Sequence, residues 1–107
     1  DEARRADAEV LAGAEVRDGL IQPTVLGGID PAMKVSCEEV FGPVVGMAPY
    51  STVDEAIDLA NSSPFGLQAG IFTARADSAL TWARRLHFGG VLVNETPTFR
   101  ADQQPYG

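Results

Sequence analysis

The sequence predicts an α/β fold: a small, mostly parallel sheet assembled from β-α-β units. Three observations carry that expectation. Short apolar runs recur at residues 44–48, 68–73 and 91–93. The segments between them place their apolar residues at helical spacing. The resulting order is strand, helix, strand, helix, strand, which is the pattern of parallel strands joined by crossover helices. Such crossovers are right-handed by default.

Each element has a local reason. Residues 2–8, rich in Ala and Arg, read as the end of a helix, and residues 9–12 as a short strand, although this stretch is ambiguous. Residues 19–29 turn extended, with Leu20, Ile21, Thr24, Val25 and Leu26. Pro23 suits an edge or a strand start better than a central strand, and Gly27-Gly28 and Asp30-Pro31 are turn signals. Gly42-Pro43 and Pro49 bracket Val44-Val45-Gly46-Met47-Ala48, which reads as a buried strand. Thr52-x-x-Glu55 is a capping box. It opens a helix whose face is Val53, Ala56, Ile57 and Ala60, with Asp54, Asp58 and Asn61 turned away. Pro64 should stop that helix by Ser63. The strand at 68–73 centres on Ile71 and Phe72. Asp77 is the expected N-cap of the next helix. Its face is Ala79, Trp82, Ala83 and Leu86, and Arg84, Arg85 and His87 complement the dipole in the last turn. Gly89-Gly90 ends it and residues 91–93 form the third strand. In parallel sheets ligands bind past the carboxyl ends of the strands, here Tyr50, Thr73 and Asn94. The polar, Pro-containing stretch after Asn94 has no helical or strand period. A long loop at that edge is a functional candidate.

Composition narrows the function classes. The 107 residues suit one small domain, and 45% apolar against 21% charged residues fits a folded chain rather than a disordered one. No apolar run reaches the roughly 20 residues of a membrane helix, and residues 1–9 lack the apolar core of a signal peptide. Eight basic against 15 acidic residues give a net charge of −7, which argues against nucleic acid as a partner. One cysteine and one histidine leave no disulfide within the chain and no Cys- or His-rich metal site. A reducing compartment, the cytoplasm, is the expected location. With no initiator Met and an end at Pro105-Tyr106-Gly107, in what reads as a loop, both ends are expected to be cut.

The most unusual string is Glu38-Glu39-Val40-Phe41-Gly42-Pro43. A solvated acidic pair before a turn is one reading. The other is that the chain turns at Gly-Pro so that a carboxylate and a ring face one cleft. A carboxylate can accept from two vicinal sugar hydroxyls, and a ring can pack on a flat heterocycle. Cys37 would share the face of Glu39 on a strand. It has no neighbouring histidine and no predicted helix N-terminus to activate it, so the expectation is an inert, buried small residue. His87 reads as a helix-end residue, Arg84-Arg85 as surface, and Trp82 as core or interface. Phe99, Arg100 and Tyr106 are either ordinary loop residues or a substrate mouth with aromatic walls and one cation suited to carboxylate or phosphate.

These strings, taken together and in order, resemble the aldehyde dehydrogenase superfamily: Pro23-Thr24-Val25-Leu26, Met33, Glu38 to Val44, Asp54-Glu55-Ala56-Ile57, Ala60-Asn61, Phe65-Gly66-Leu67, Ile71-Phe72-Thr73, and Gly89 to Asn94 through Pro105-Tyr106-Gly107. The stretch from Asn94 is similar to the lactaldehyde and phosphonoacetaldehyde dehydrogenase branch. The resemblance implies the C-terminal portion of a catalytic domain, residues 1–107, in an enzyme that oxidises an aldehyde to a carboxylic acid with NAD or NADP. A cysteine thiolate forms a thiohemiacetal, hydride leaves, and water activated by a glutamate hydrolyses the thioester. It further implies that Glu39 binds the nicotinamide ribose, Phe41 packs near the nicotinamide, Tyr106 lines the substrate tunnel, and Asn94 ends the last strand and supports the loop. The nucleophile, oxyanion donor and base fall upstream, so no catalytic residue is expected in this chain. Cys37 falls at a variable position. The whole enzyme is expected to be a homo-oligomer. The chain alone is expected to be inactive and to hold no cofactor. The alternative is a non-enzymatic α/β interaction or self-association module, favoured by open sheet edges.

Overall fold

The computed structural model describes residues 2–104, which fall into two compact units, Asp1–Ser51 and Thr52–Gly107. The first unit runs α1 (Glu2–Arg5), β1 (Glu9–Ala12), β2 (Val16–Arg17), β3 (Leu20–Ile21), β4 (Thr24–Gly27), α2 (Lys34–Cys37) and β5 (Val44–Met47). Its sheet has the order β1-β4-β5. β4 pairs antiparallel with β1 and parallel with β5, starting at Thr24 opposite Val44. β4 is central, and the core gathers on it: Ala3, Ala8, Leu26 and Met33, with Val10, Ile29, Val35 and Val44 packed against them. Pro23 stands just before this strand, where its missing N–H costs no ladder bond.

Thr24 is a polar residue in that core, and its hydroxyl is satisfied twice. It donates to the Gln22 carbonyl at 2.8 Å and accepts from the Ala14 N–H at 2.9 Å. The Thr24 N–H reaches the Pro43 carbonyl at 2.8 Å, which seats the Gly-Pro turn against the start of β4. β2 and β3 form a separate hairpin, with Val16 opposite Ile21. Its two-residue turn, Asp18-Gly19, has φ of 52° and 77°, the paired positive values of a type I′ turn.

The second unit runs α3 (Val53–Asn61), β6 (Gln68–Ile71), α4 (Ala76–Ala83) and β7 (Gly90–Val93). β6 and β7 are parallel and in register from Gln68 opposite Gly90 to Ile71 opposite Val93. α4 is the crossover and packs on β7. Thr52 caps α3, its hydroxyl accepting from the Glu55 N–H at 3.2 Å. The expected apolar face is the face that is covered: Ile57 is buried, and Val53, Ala56 and Ala60 are half-buried. Asn61, expected to point away, braces the unit. Its amide donates to the Arg85 carbonyl at 2.9 Å and its oxygen accepts from the His87 N–H at 2.9 Å. Arg85 also pairs with Asp54 at 2.6 Å. One side chain of α3 thus satisfies two backbone groups in the connection after α4, where no ladder is available to them.

The α/β class is observed, with several differences in detail. The strands lie in three small sheets rather than one, because β5 takes β4 as its ladder partner. α2 forms where no helix is expected, and it holds Cys37, to which the sequence assigns a strand face. Asp77 is not the N-cap of α4: Arg75 holds that position without a side-chain cap, and Asp77 lies in the first turn, where its charge suits the dipole. The Thr73 hydroxyl instead accepts from the Arg75 N–H at 3.0 Å. α4 ends at Ala83, so Arg85 and His87 lie beyond it. Phe72 and Thr73 lie past the end of β6. Among the described residues no helix is long and apolar enough to cross a membrane.

Candidate functional site

The Glu-Glu string begins where α2 ends. Glu38 is the C-cap of α2, and its carboxylate faces the Lys34 ammonium one turn back at 3.9 Å. Glu39 follows in extended chain, exposed, with no hydrogen bond or ion pair to a described residue. The two adjacent carboxylates are therefore unequal. One is partly matched by a lysine, and the other is held by backbone alone and presented outward. Beyond Phe41 the chain tightens, with Gly42 N–H to Val40 O at 2.9 Å and Val44 N–H to Gly42 O at 2.8 Å.

Glu39 lies on the rim of an open groove of about 450 Å3 in the first unit. The groove has apolar walls from Val10, Leu26, Val35 and Val44. Phe41 is 90% exposed and is not among the lining residues, so Glu38 and Glu39 border the groove and Phe41 lies outside it.

Cys37 departs from expectation in two ways. It is the last residue of α2 rather than a strand residue, and it is exposed rather than buried. Its thiol donates to the Met33 carbonyl at 3.3 Å. Its hydrogen bond goes to a backbone carbonyl rather than to an activating base. Cys37→Ser in the whole enzyme is accordingly expected to leave turnover and the burst of reduced cofactor unchanged. Loss of the burst in a folded variant contradicts this.

The second unit holds the remaining candidates. Asn94 follows β7 directly and takes φ of 57°. An L-residue pays for that conformation unless a short polar side chain bonds locally. Here Asn94 Oδ1 accepts from the Thr73 N–H at 2.8 Å, and the Asn94 N–H donates to the Ile71 carbonyl at 2.7 Å. Asn94 therefore ties together the carboxyl ends of β6 and β7 and turns the chain into the following loop. Gly70 makes room for that turn, since a Cβ there would stand 2.7 Å from the Glu95 carbonyl.

In the loop, Phe99 is 52% exposed and its N–H reaches the Thr96 carbonyl at 3.1 Å. Arg100 Nη2 donates to the Gln104 carbonyl at 2.8 Å. Tyr106 lies outside the described residues. Glu39 and Phe41 thus belong to the first unit, and Asn94, Phe99 and Arg100 to the second. Sequence reasoning missed Thr73 and Gln104 as partners of Asn94 and Arg100. Thr73 carried a signal, being at a strand's carboxyl end opposite Asn94. Among the described residues no group of three or more His, Cys, Asp or Glu is placed to hold a metal ion.

Comparison with known proteins places this arrangement. Residues 1–107 match the aldehyde dehydrogenase family over their whole length, and the chain belongs to that family. It is 42% identical over 107 residues to a 3-sulfolactaldehyde dehydrogenase from Priestia aryabhattai, covering 99% of this chain and 22% of that protein. It is 39% identical over 99 residues to a lactaldehyde dehydrogenase from Methanococcus maripaludis, covering 92% of this chain and 21% of that protein. Among solved structures, aldehyde dehydrogenase 21 from Physcomitrella patens, in complex with its reaction product succinate, superposes with a TM-score of 0.92 at 37% identity, covering 99% of this chain and 22% of that one. An NADP-dependent glyceraldehyde-3-phosphate dehydrogenase from Bacillus halodurans, complexed with NADP, gives 0.87 at 39% identity, covering 95% and 21%. The chain spans about a fifth of the length of these relatives.

Proposed function

We propose that the chain is the C-terminal part of the catalytic domain of a cytoplasmic, homo-oligomeric, NAD(P)-dependent aldehyde dehydrogenase, and that it supplies cofactor- and substrate-positioning groups rather than the nucleophile. The observation that carries this reading is the match of 92–99% of the chain to dehydrogenases at 39–42% identity. The residues present fit a nicotinamide nucleotide. Glu39 is a carboxylate with no protein partner among the described residues, which suits a vicinal diol and not a phosphate. Phe41 offers an uncovered ring to a flat heterocycle. The bound cofactor would accept the hydride of the aldehyde carbon. Glu39 would hold the ribose so that the ring does not drift from the reacting carbon, where small displacements are costly. Asn94 holds the root of the loop after β7, and Phe99, Arg100 and Tyr106 on that loop would meet the aldehyde substrate.

The nucleophile, its oxyanion donor and the base are supplied by sequence upstream of residue 1, so the isolated chain has no turnover and no appreciable affinity for the cofactor. The test is reduced-cofactor formation by the whole protein with NAD and with NADP on hydroxylated, sulfonated and aromatic aldehydes, beside the isolated chain. Turnover by the whole protein alone is expected. Absence of turnover on every aldehyde, or turnover by the isolated chain, overturns the reading.

A further inference from the structure

Three element ends meet at Thr73. It follows β6, and Arg75, two residues on, opens α4. The Thr73 hydroxyl accepts from the Arg75 N–H at 3.0 Å, the turn in which a threonine oxygen holds a backbone donor two residues ahead. Arg75 is where α4 begins, because its carbonyl takes the Ser78 and Ala79 N–H groups at 3.2 and 3.1 Å. The Thr73 N–H is engaged elsewhere, donating to Asn94 Oδ1 at 2.8 Å just past the end of β7. α4 packs on β7 in turn. The ties therefore close into a ring. The end of β6, the start of α4, β7 and Asn94 hold one another through two groups of one threonine, its hydroxyl and its N–H. The ring lies at the surface, with Thr73 half-buried and Arg75 and Asn94 exposed, where water competes for each bond.

The direction set at Asn94 is carried into the loop. With Asn94 at φ of 57°, the following residues pass so close to β6 that a Cβ on Gly70 would stand 2.7 Å from the Glu95 carbonyl and 3.3 Å from the Pro97 ring. Glu95 Oε1 then accepts from the Thr96 N–H at 2.8 Å, and the Thr96 and Thr98 hydroxyls lie 2.8 Å apart. The Phe99 N–H donates to the Thr96 carbonyl at 3.1 Å. Phe99 thus stands at the end of a run of local bonds rooted in the Asn94 turn.

We infer that Thr73 is a positioning residue for the loop after β7: holding the start of α4 with its hydroxyl and Asn94 with its N–H, it fixes the direction in which that loop leaves the sheet and so the fit of the aldehyde. This deepens the proposed function and rests on its reading that the loop after β7 meets the aldehyde. The hydroxyl bonds to Arg75 and to no described residue of the loop. Its effect on substrate binding therefore travels through the Thr73 backbone to Asn94.

The test uses the whole enzyme, the aldehyde it oxidises fastest, and the variants Thr73→Val, Thr73→Ser, Asn94→Gly and Thr73→Val/Asn94→Gly. Thr73→Val keeps the shape of the side chain and removes the hydroxyl. Asn94→Gly keeps access to positive φ and removes Oδ1. Steady-state kinetics, thermal melts and amide hydrogen exchange at Thr73 and Asn94 are measured. Thr73→Val is expected to raise the KM for the aldehyde about three- to tenfold, the scale of one neutral hydrogen bond. kcat and the KM for the cofactor should stay within about twofold, since a loss of folded protein would lower kcat instead. Exchange at both amides should speed up, because both belong to the opened ring. Thr73→Ser, which restores the hydroxyl, should return KM and exchange to wild type. The double variant should lose little more than the worse single one. A lowered melting temperature with unchanged aldehyde KM and unchanged exchange at Asn94 reduces Thr73 to a helix cap and overturns the proposal, as do additive losses in the double variant. If Thr73→Val does not fold, Asn94→Gly must show the same rise in aldehyde KM with faster exchange at Thr73, and an unmoved KM there overturns the proposal. A whole enzyme with no turnover on any aldehyde overturns the proposed function and this inference together. Turnover with an unmoved aldehyde KM in Thr73→Val overturns this inference alone.

Discussion

Glu39→Gln in the whole enzyme is expected to slow hydride transfer by about ten- to hundredfold, the effect of losing a hydrogen bond to a charged acceptor. The substitution keeps the length and shape of the side chain and removes only its charge and one acceptor oxygen. Glu39 has no described protein partner to strand, so the loss reports on the ligand rather than on folding. Glu38 is the internal control, because it faces Lys34 rather than standing alone. Glu38→Gln should change turnover by less than about twofold, as expected for an exposed ion pair. The measurement is a single-turnover rate of cofactor reduction, with cofactor affinity determined separately. Glu39→Gln with wild-type affinity and rate removes Glu39 from the cofactor site.

Gly13→Ala is the substitution expected to cost most in stability. Gly13 takes φ of 74°, and a Cβ built there runs into the Pro23 carbonyl. The segment cannot retreat easily, since the neighbouring Ala14 N–H is bonded to the buried Thr24 hydroxyl and Pro23 leads straight into the central strand β4. Gly19 separates the two costs. It has φ of 77° with nothing within 4 Å of a built Cβ. Gly19→Ala should therefore cost only the backbone strain of a left-handed L-residue, about 1 kcal/mol. Gly13→Ala should cost about 3 kcal/mol or more, the same strain plus displacement of packed backbone. Denaturant melts of the whole protein followed by circular dichroism compare the two. Equal destabilisation shows that the 13–14 and 23–24 segments part without penalty.

Much of this fold was legible because its elements carry their own signals. α3 announces itself through Thr52, Glu55 and the spacing of Val53, Ala56, Ile57 and Ala60. β5, β6 and β7 are short apolar runs set off by Gly and Pro. α2 was not legible, because four residues cannot show a helical period. It rests on Met33 in the core and on the Lys34–Glu38 contact, both tertiary or marginal facts. The Asp18-Gly19 turn was legible and was passed over: Asp-Gly between two extended pairs is a direct hairpin signal. Asp77 misled because a good capping residue lay one position inside the helix, while Thr73 supplied the hydroxyl from outside it. The separation of β5 from β6 could not be read from order alone. A strand's neighbour is decided by which edge is covered, and β5 finds β4. The candidate site followed the same division. Glu39, Phe41, Asn94, Phe99 and Arg100 are candidates from residue type and family pattern. The Arg100 contact with the Gln104 carbonyl was not legible, because a backbone carbonyl leaves no mark in a sequence.

The single tryptophan and the single cysteine fall in different units. Trp82 is half-buried on α4, with the Arg75 guanidinium carbon 5.7 Å from its ring centroid. Cys37 is exposed at the end of α2. Tryptophan emission, excited apart from the tyrosines, therefore reports the unit that holds α4. A maleimide dye on Cys37 reports the other half. The chain comes equipped with two spectroscopically independent reporters, so the melting of each half can be recorded in one sample without introducing a new residue.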